Sequence, residues 1–263
     1  MQDWIMRHRR GVSTFGWVVG VCIVWELIAF LLAGVLHDPM AENKLPYFHD
    51  VVIRFVTNFG TLFLQAKISF MRALYGYLYG VLAGVVFAIL MNLSRIVEKM
   101  IMPYLIMSQM IPILALAPII FCLVKDMNTA RTVIAAFITF FPVAVNMLNG
   151  LQAVDDQKLM MMKSYAGNRF QLYTKLLLPN SMPYLFVGLR LAAPMAIAAS
   201  ILVDTLSAKD GIGFVLVYSL AGGGTVGQFW PAVLMSSFMG ILSYYLVALI
   251  EKIVIPWQKN EEV

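Results

Sequence analysis

FMRALYGYLYGVLAGVVFAILMN (residues 70–92) holds one charged residue, Arg72, near its start, and none in the twenty residues that follow. A helix that crosses about 30 Å of hydrocarbon needs about 20 apolar residues, so this stretch reads as a transmembrane span. Gly76, Gly80 and Gly84 recur at every fourth position within it. Small residues at that spacing give one helix face on which a neighbouring helix packs closely.

Working outward, five more apolar runs appear, at Gly16–Leu36, Pro103–Val124, Thr132–Gly150, Pro183–Leu206 and Pro231–Ile250. The fold class this predicts is all-α, a polytopic membrane protein with six transmembrane helices. Composition agrees, for 61% of the 263 residues are apolar and 13% are charged, against about 25% charged in soluble domains. Mean hydropathy is +0.82. A disordered chain is excluded, and the remainder is too short for a second large soluble domain. The first run exceeds a signal-peptide core of about 7–15 residues and no A-x-A site follows it, so it reads as a retained span.

The net charge of +5 reflects loop basicity rather than nucleic-acid binding. With the N-terminus placed in the cytoplasm, the inner segments carry Arg7, Arg9, Arg10, Arg95, Lys99, Lys158, Lys163, Arg169, Lys175, Lys252 and Lys259. The outer segments carry Lys44, Arg54, Lys67, Lys125, Arg131 and Lys209. The bias puts both termini inside. The expected organisation is an N-terminal region (1–65) with one span and an external interfacial helix, a core domain (66–250) with the other five spans and an inner loop at 151–182, and a cytoplasmic tail (251–263). The interfacial helix follows Pro46, where Val51, Val52, Phe55, Val56 and Phe59 share one face; covering the bundle is an equal reading.

The chemistry of common enzymes is missing from the sequence. His8, His37 and His49 lie outside the spans with no H-E-x-x-H, and Cys22 and Cys122 sit within apolar runs. Gly222 to Gly227 has P-loop spacing, but Gln228 and Phe229 follow where Lys and Ser/Thr belong. No catalytic residue, cofactor or metal site is therefore expected, and the glycines at 222–224 read as a turn. Charges within spans are costly. Asp204 reads as a group reaching the outer interface. Arg190 is equally a pathway group or a structural partner, and the positions allow a Glu26–Arg190 pair. Pro103, Pro112 and Pro118 permit kinks in the third span. Gln109, Pro112, Asn146 and Arg190 are the candidate lining of a translocation path; simple packing is the competing role.

The inner loop is the most informative segment. Asp155 and Asp156 mark the start of a first short helix, Gly167-Asn168 breaks it, and a second helix from Arg169 to Leu178 should stop at Pro179. Phe170, Tyr173 and Leu177 share one face of the second. A compact basic amphipathic hairpin makes a docking knob for another protein.

At this loop the chain resembles the permeases of binding-protein-dependent ABC importers, of the nitrate/sulfonate/taurine type. Their motif runs E-A-A, three residues, Gly, nine residues, then I-x-L-P. Here Leu176-Leu177-Leu178-Pro179 matches the end, Ala166 or the adjacent Gly167 stands at the glycine, and Met160-Met161-Met162 stands at E-A-A. Leu45-Pro46, IPILALAPI (111–119), Phe141-Pro142, LPNSMPYLFVGLRLAA (178–193) and Gly211-Ile212-Gly213 occur in the family's order. The likeness covers about Leu45 to Ile250. It implies a type I permease fold, pairing with a second permease copy in the lipid membrane, two cytoplasmic ATPase subunits that bind the ATP, and an external solute-binding protein. It places Met160, Lys163, Ala166, Gly167, Asn168, Phe170, Tyr173, Leu176, Leu178 and Pro179 in the ATPase-coupling loop. Without the motif glutamate, coupling is weaker or the ATPase cleft is more apolar. The expected cargo is a small solute such as nitrate, a sulfonate, taurine or a pyrimidine precursor. A self-contained secondary transporter is the alternative, and it requires an internal repeat and a mid-membrane carboxylate; a non-transporting membrane scaffold is a third.

Overall fold

The structure is a computed structural model that describes residues 16–256 apart from 18, 36–43, 125, 208 and 223–226. Several residues used above for orientation or as histidine candidates (Arg7, His8, Arg9, Arg10, His37, Lys125 and Lys259) lie outside the described residues. So do Leu36, at the end of the first run, and the turn glycines Gly223 and Gly224.

Eleven helices account for the described chain, and no strand occurs among the described residues. They are α1 (Val19–Gly34), α2 (Phe48–Thr57), α3 (Phe59–Leu93), α4 (Arg95–Met110), α5 (Ile113–Leu123), α6 (Met127–Gln152), α7 (Asp156–Ser164), α8 (Arg169–Leu172), α9 (Leu178–Ser207), α10 (Ile212–Leu220) and α11 (Phe229–Val254). Four helical stretches are long and apolar enough to cross a membrane: α3, α6, α11 and the continuous Arg169–Leu206 stretch that contains α9. With α4 and α5 taken as one broken span the number is five, and α1 is a shorter apolar helix. Helix α10 was not evident in the sequence.

Helix starts follow local chemistry. Ser94 caps α4 by accepting from Ile96 N. Asp126 Oδ2 accepts from both Thr129 N and Thr129 Oγ1, each at 2.7 Å, and so caps α6. Side-chain oxygens at this position satisfy N–H groups that the helix itself leaves unpaired. Asp126 lies in the loop before α6, and those two Thr129 bonds hold its carboxyl below the usual carboxylate range.

The expected single span at 103–124 is two helices, α4 and α5, meeting at 102°. Ile111 (ψ 119°) and Pro112 (ψ 125°) are both extended. A proline disfavours the helical region for the residue before it and cannot donate a backbone N–H, so the chain turns there. Pro103 and Pro118, by contrast, lie inside α4 and α5.

The chain forms two compact units, each over its described residues. One comprises Met1–Leu64 with Val215–Leu234, and the other Gln65–Phe214 with Met235–Val263. In the first, the Trp25 indole donates to Pro46 O at 2.9 Å and meets the Trp230 ring edge-on at 4.6 Å. The Trp230 indole in turn donates to Lys44 O at 3.2 Å. Buried indoles need such acceptors while their rings supply apolar contact. On α2, Val51 is buried while Val52 and Val56 are exposed.

The second unit is organised around α6. Half or more of the apolar windows of α6 and the α9 stretch are buried (56% and 50%), against 28% for α3 and 22% for α11. One core cluster joins Ala88 and Met91 of α3, Leu105 of α4, and Ala144, Met147 and Leu148 of α6. A second joins Ala117 and Ile120 of α5 to Ile134 and Ile138 of α6 and Val203 of α9. The glycine face read from the sequence packs on α6: a Cβ at Gly84 would stand 2.6 Å from Phe140 O and 2.8 Å from Val143 Cβ. Only a residue without a side chain lets α3 approach this closely.

Candidate functional site

The segment from Ala153 to Leu178 links the two most enclosed spans. Asp155 accepts from Gln157 N at 2.9 Å and starts α7, as the paired acids suggested. The hairpin then reverses at Ala166, which takes a left-handed φ of 50°. Gly167 N and Ala166 N bond back to Met162 O and Lys163 O. Asn168 and Gln171 form a reciprocal capping box: Gln171 N donates to Asn168 Oδ1 (2.8 Å) and Asn168 N to Gln171 Oε1 (3.0 Å). The break at Gly167-Asn168 is therefore a capped turn whose backbone groups are paired locally.

Pro179 does not end the second helix, contrary to the sequence expectation. A π-turn at Tyr173–Leu177 follows α8, and Leu178 N donates to Tyr173 O. The wider register lets the chain absorb the missing proline N–H, so the helix continues into α9. The predicted face is also split by its surroundings. Tyr173 and Leu177 turn inward, where the Tyr173 hydroxyl accepts from Asn92 Nδ2 at 2.9 Å and Leu177 joins the α3–α6 core. Phe170 points outward and is 76% exposed. A charge at Tyr173 would therefore enter this chain's own packing rather than a partner's.

Of the remaining loop residues, Met160, Lys163, Ala166, Asn168 and Pro179 are exposed, and Gly167, Leu176 and Leu178 are half-buried. Met161 and Tyr165 are exposed as well.

The four path candidates have the following surroundings. Gln109 and Pro112 are exposed at the α4–α5 bend. Asn146 Nδ2 donates to Pro142 O of its own helix at 2.7 Å, opposite Gly188 of α9. Arg190 Nε lies 3.3 Å from Glu251 Oε2 of α11. The Glu26–Arg190 pairing is thus overturned, since Glu26 bonds instead to His49 Nδ1 at 3.0 Å. Outside the spans, that bond raises the His49 pKa above its ordinary value.

Asp204 also departs from expectation. Its side chain is fully buried, not drawn to the outer interface. It accepts from Ser69 Oγ at 2.5 Å and from Arg72 Nη1 at 3.1 Å, and Arg131 Nε stands 3.5 Å away. Arg72 Nη2 reaches Asp210 Oδ1 at 2.7 Å. Gly211 N donates to Gln65 Oε1 and Ile212 N to Ser69 Oγ, which ties the turn before α10 to α3. A buried carboxylate survives only with such partners. Sequence reading missed this cluster although a signal was present: Arg72 and Arg131 lie at the starts of their runs and Asp204 at the end of its run, which in the expected orientation are all outer ends, so opposite charges stood at one depth.

Residues 80–256 match the family model described as binding-protein-dependent transport system inner membrane component. The chain is 27% identical over 242 residues to the formylaminopyrimidine transport permease protein ThiX of Halalkalibacterium halodurans, covering 91% of this chain and 93% of that one. It is 27% identical over 242 residues to the nitrate import permease protein NrtB of Synechococcus elongatus, covering 89% of this chain and 86% of that protein. Among solved structures, the crystal structure of an amino acid ABC transporter with histidines superposes with a TM-score of 0.58 at 16% identity, over 76% of this chain and 97% of that one. That likeness concerns the fold. The family match spans well over half of the chain, and the chain belongs to the inner membrane components of binding-protein-dependent transport systems, the permease subunits of ABC importers.

Proposed function

We propose that this permease moves a small solute inward by alternating access, with two separate cytoplasmic ATPase subunits gripping the α7–α8 hairpin of each of two permease copies. ATP is bound and hydrolysed on those partner chains, and an external solute-binding protein delivers the cargo. The chain sits in the bacterial inner membrane with both termini in the cytoplasm. The observation that carries the reading is the hairpin itself. It is locally capped at both helices, presents exposed Met160, Met161, Tyr165 and Phe170, and is continuous through the π-turn with the long helix α9. A rigid knob rooted in a buried span transmits a push from the cytoplasm into the bundle, whereas a flexible loop would absorb it.

The relatives named for formylaminopyrimidine and nitrate favour a small polar cargo of this kind, with the choice among them left to the binding protein. The test is co-expression with a cognate ABC ATPase subunit. The expected product is a complex of two permeases and two ATPases by native mass spectrometry. A permease that purifies without the ATPase and accumulates solute in liposomes without ATP contradicts the reading.

A further inference from the structure

Four large apolar side chains stand exposed on the hairpin: Met160 (66%), Met161 (55%), Tyr165 (77%) and Phe170 (76%). At 100° per residue, Met160 and Met161 of α7 and Tyr165, the residue that follows its last turn, fall within an arc of about 140°. Leu159, on the opposite side of α7, packs instead against the α3–α6 core, so the helix has an inner and an outer apolar face. Exposed apolar patches of this kind mark interaction sites. The hairpin is also pre-formed, because the Asp155 cap and the Asn168–Gln171 capping box are satisfied within it. Little ordering cost is then left for binding. Around the patch, Lys158, Lys163, Arg169 and Lys175 are exposed and form no ion pair among the described residues. The only carboxylates on this segment, Asp155 and Asp156, sit at the α7 start, where Asp155 is committed to its cap.

We infer that the ATPase cleft that receives this hairpin is apolar at its floor, where Met160 and its neighbours seat, and acidic around its rim, facing the four cations. The inference rests on the coupling role proposed above and adds the chemistry of the partner. It also decides between the two consequences of the missing motif glutamate: the cleft has no cation waiting for a carboxylate at position 160. A carboxylate placed there would be buried without a counter-charge.

The experiment measures binding of the purified ATPase to the full-length permease in nanodiscs, across a salt series. Wild type binds, and raising the salt weakens binding because the rim charges are screened. Met160→Glu weakens binding about tenfold or more. Met160→Leu, which keeps an apolar group of similar size, loses far less. Lys163→Glu weakens binding and flattens the salt dependence. Both positions are exposed, so the thermal midpoints of the three free variants stay at the wild-type value, which separates a docking defect from a folding one. Unchanged or tighter binding by Met160→Glu overturns the inference while leaving the coupling role intact. If wild type does not bind the ATPase at all, the coupling role itself fails. A polarity-sensitive dye at Met161→Cys that reports burial in ATPase-free nanodiscs also overturns the inference, since the patch would then be lying on lipid.

Discussion

Arg72 Nη1 of α3 lies 3.1 Å from Asp204 Oδ1 of α9, and the Asp204 side chain has no exposed surface. Around that pair, Arg131 of α6 approaches the same oxygen and Ser69 holds the other. Three helices and the turn before α10 therefore meet on one carboxylate. Arg72 has a second carboxylate in Asp210, whereas Asp204 is the one ion-pair partner of Arg131 among the described residues.

Asp204→Ala is expected to destabilise the permease by about 3–5 kcal/mol, because it leaves the buried Arg131 without its counter-charge while Arg72 keeps Asp210. Thermal unfolding of the detergent-purified protein checks this. A midpoint equal to wild type would show that the cluster carries no structural weight.

The close crossing of α3 on α6 makes a second expectation. At Gly80 an added Cβ would meet Thr139 Oγ1 and stand 2.8 Å from Ala136 O; at Gly84 it would stand 2.6 Å from Phe140 O. Gly80→Ala and Gly84→Ala should each cost about 1–3 kcal/mol through overpacking. The same unfolding assay reads it, and a neutral result at both sites would mean the helices separate freely.

The His49–Glu26 bond has a defined pH dependence. Its carboxylate partner raises the folded-state pKa of His49 above 6.5. The resulting stabilisation is fully present below pH 6.5 and is lost as pH rises through the raised folded value. Stability measured across this window should fall in wild type and change less in His49→Gln. Identical profiles would exclude the linkage.

Two aromatic residues three positions apart should behave differently. Tyr173→Phe removes one hydrogen bond to Asn92 and costs about 0.5–1.5 kcal/mol of stability. Phe170→Asp, at an exposed site, should leave the unfolding midpoint in place while weakening ATPase capture. The reverse pattern would show that Tyr173, not Phe170, faces the ATPase.

The long spans were legible because twenty consecutive apolar residues have few other uses. The runs at 70–92, 132–150, 183–206 and 231–250 fall within α3, α6, the α9 stretch and α11, with differences mainly at the ends. Caps were legible too, since Asp155 and Asn168 act within three residues of their own position. What hid from the sequence was long-range or a matter of register. Ser69 and Asp204 are 135 positions apart, beyond any local window. The π-turn shifts a hydrogen-bond register without any compositional mark, and with it Pro179 passes through a helix. Three prolines in the third apolar run each permitted a break, and tertiary packing selected Pro112.

The role of the hairpin as a cytoplasmic handle is tested most directly by labelling Met161→Cys, in a Cys22→Ser/Cys122→Ser background, with a membrane-impermeant maleimide. Labelling should occur in inside-out vesicles, be absent in right-side-out vesicles, and disappear when purified ATPase is added. Labelling from the external side, or undiminished labelling with the ATPase bound, would contradict the account.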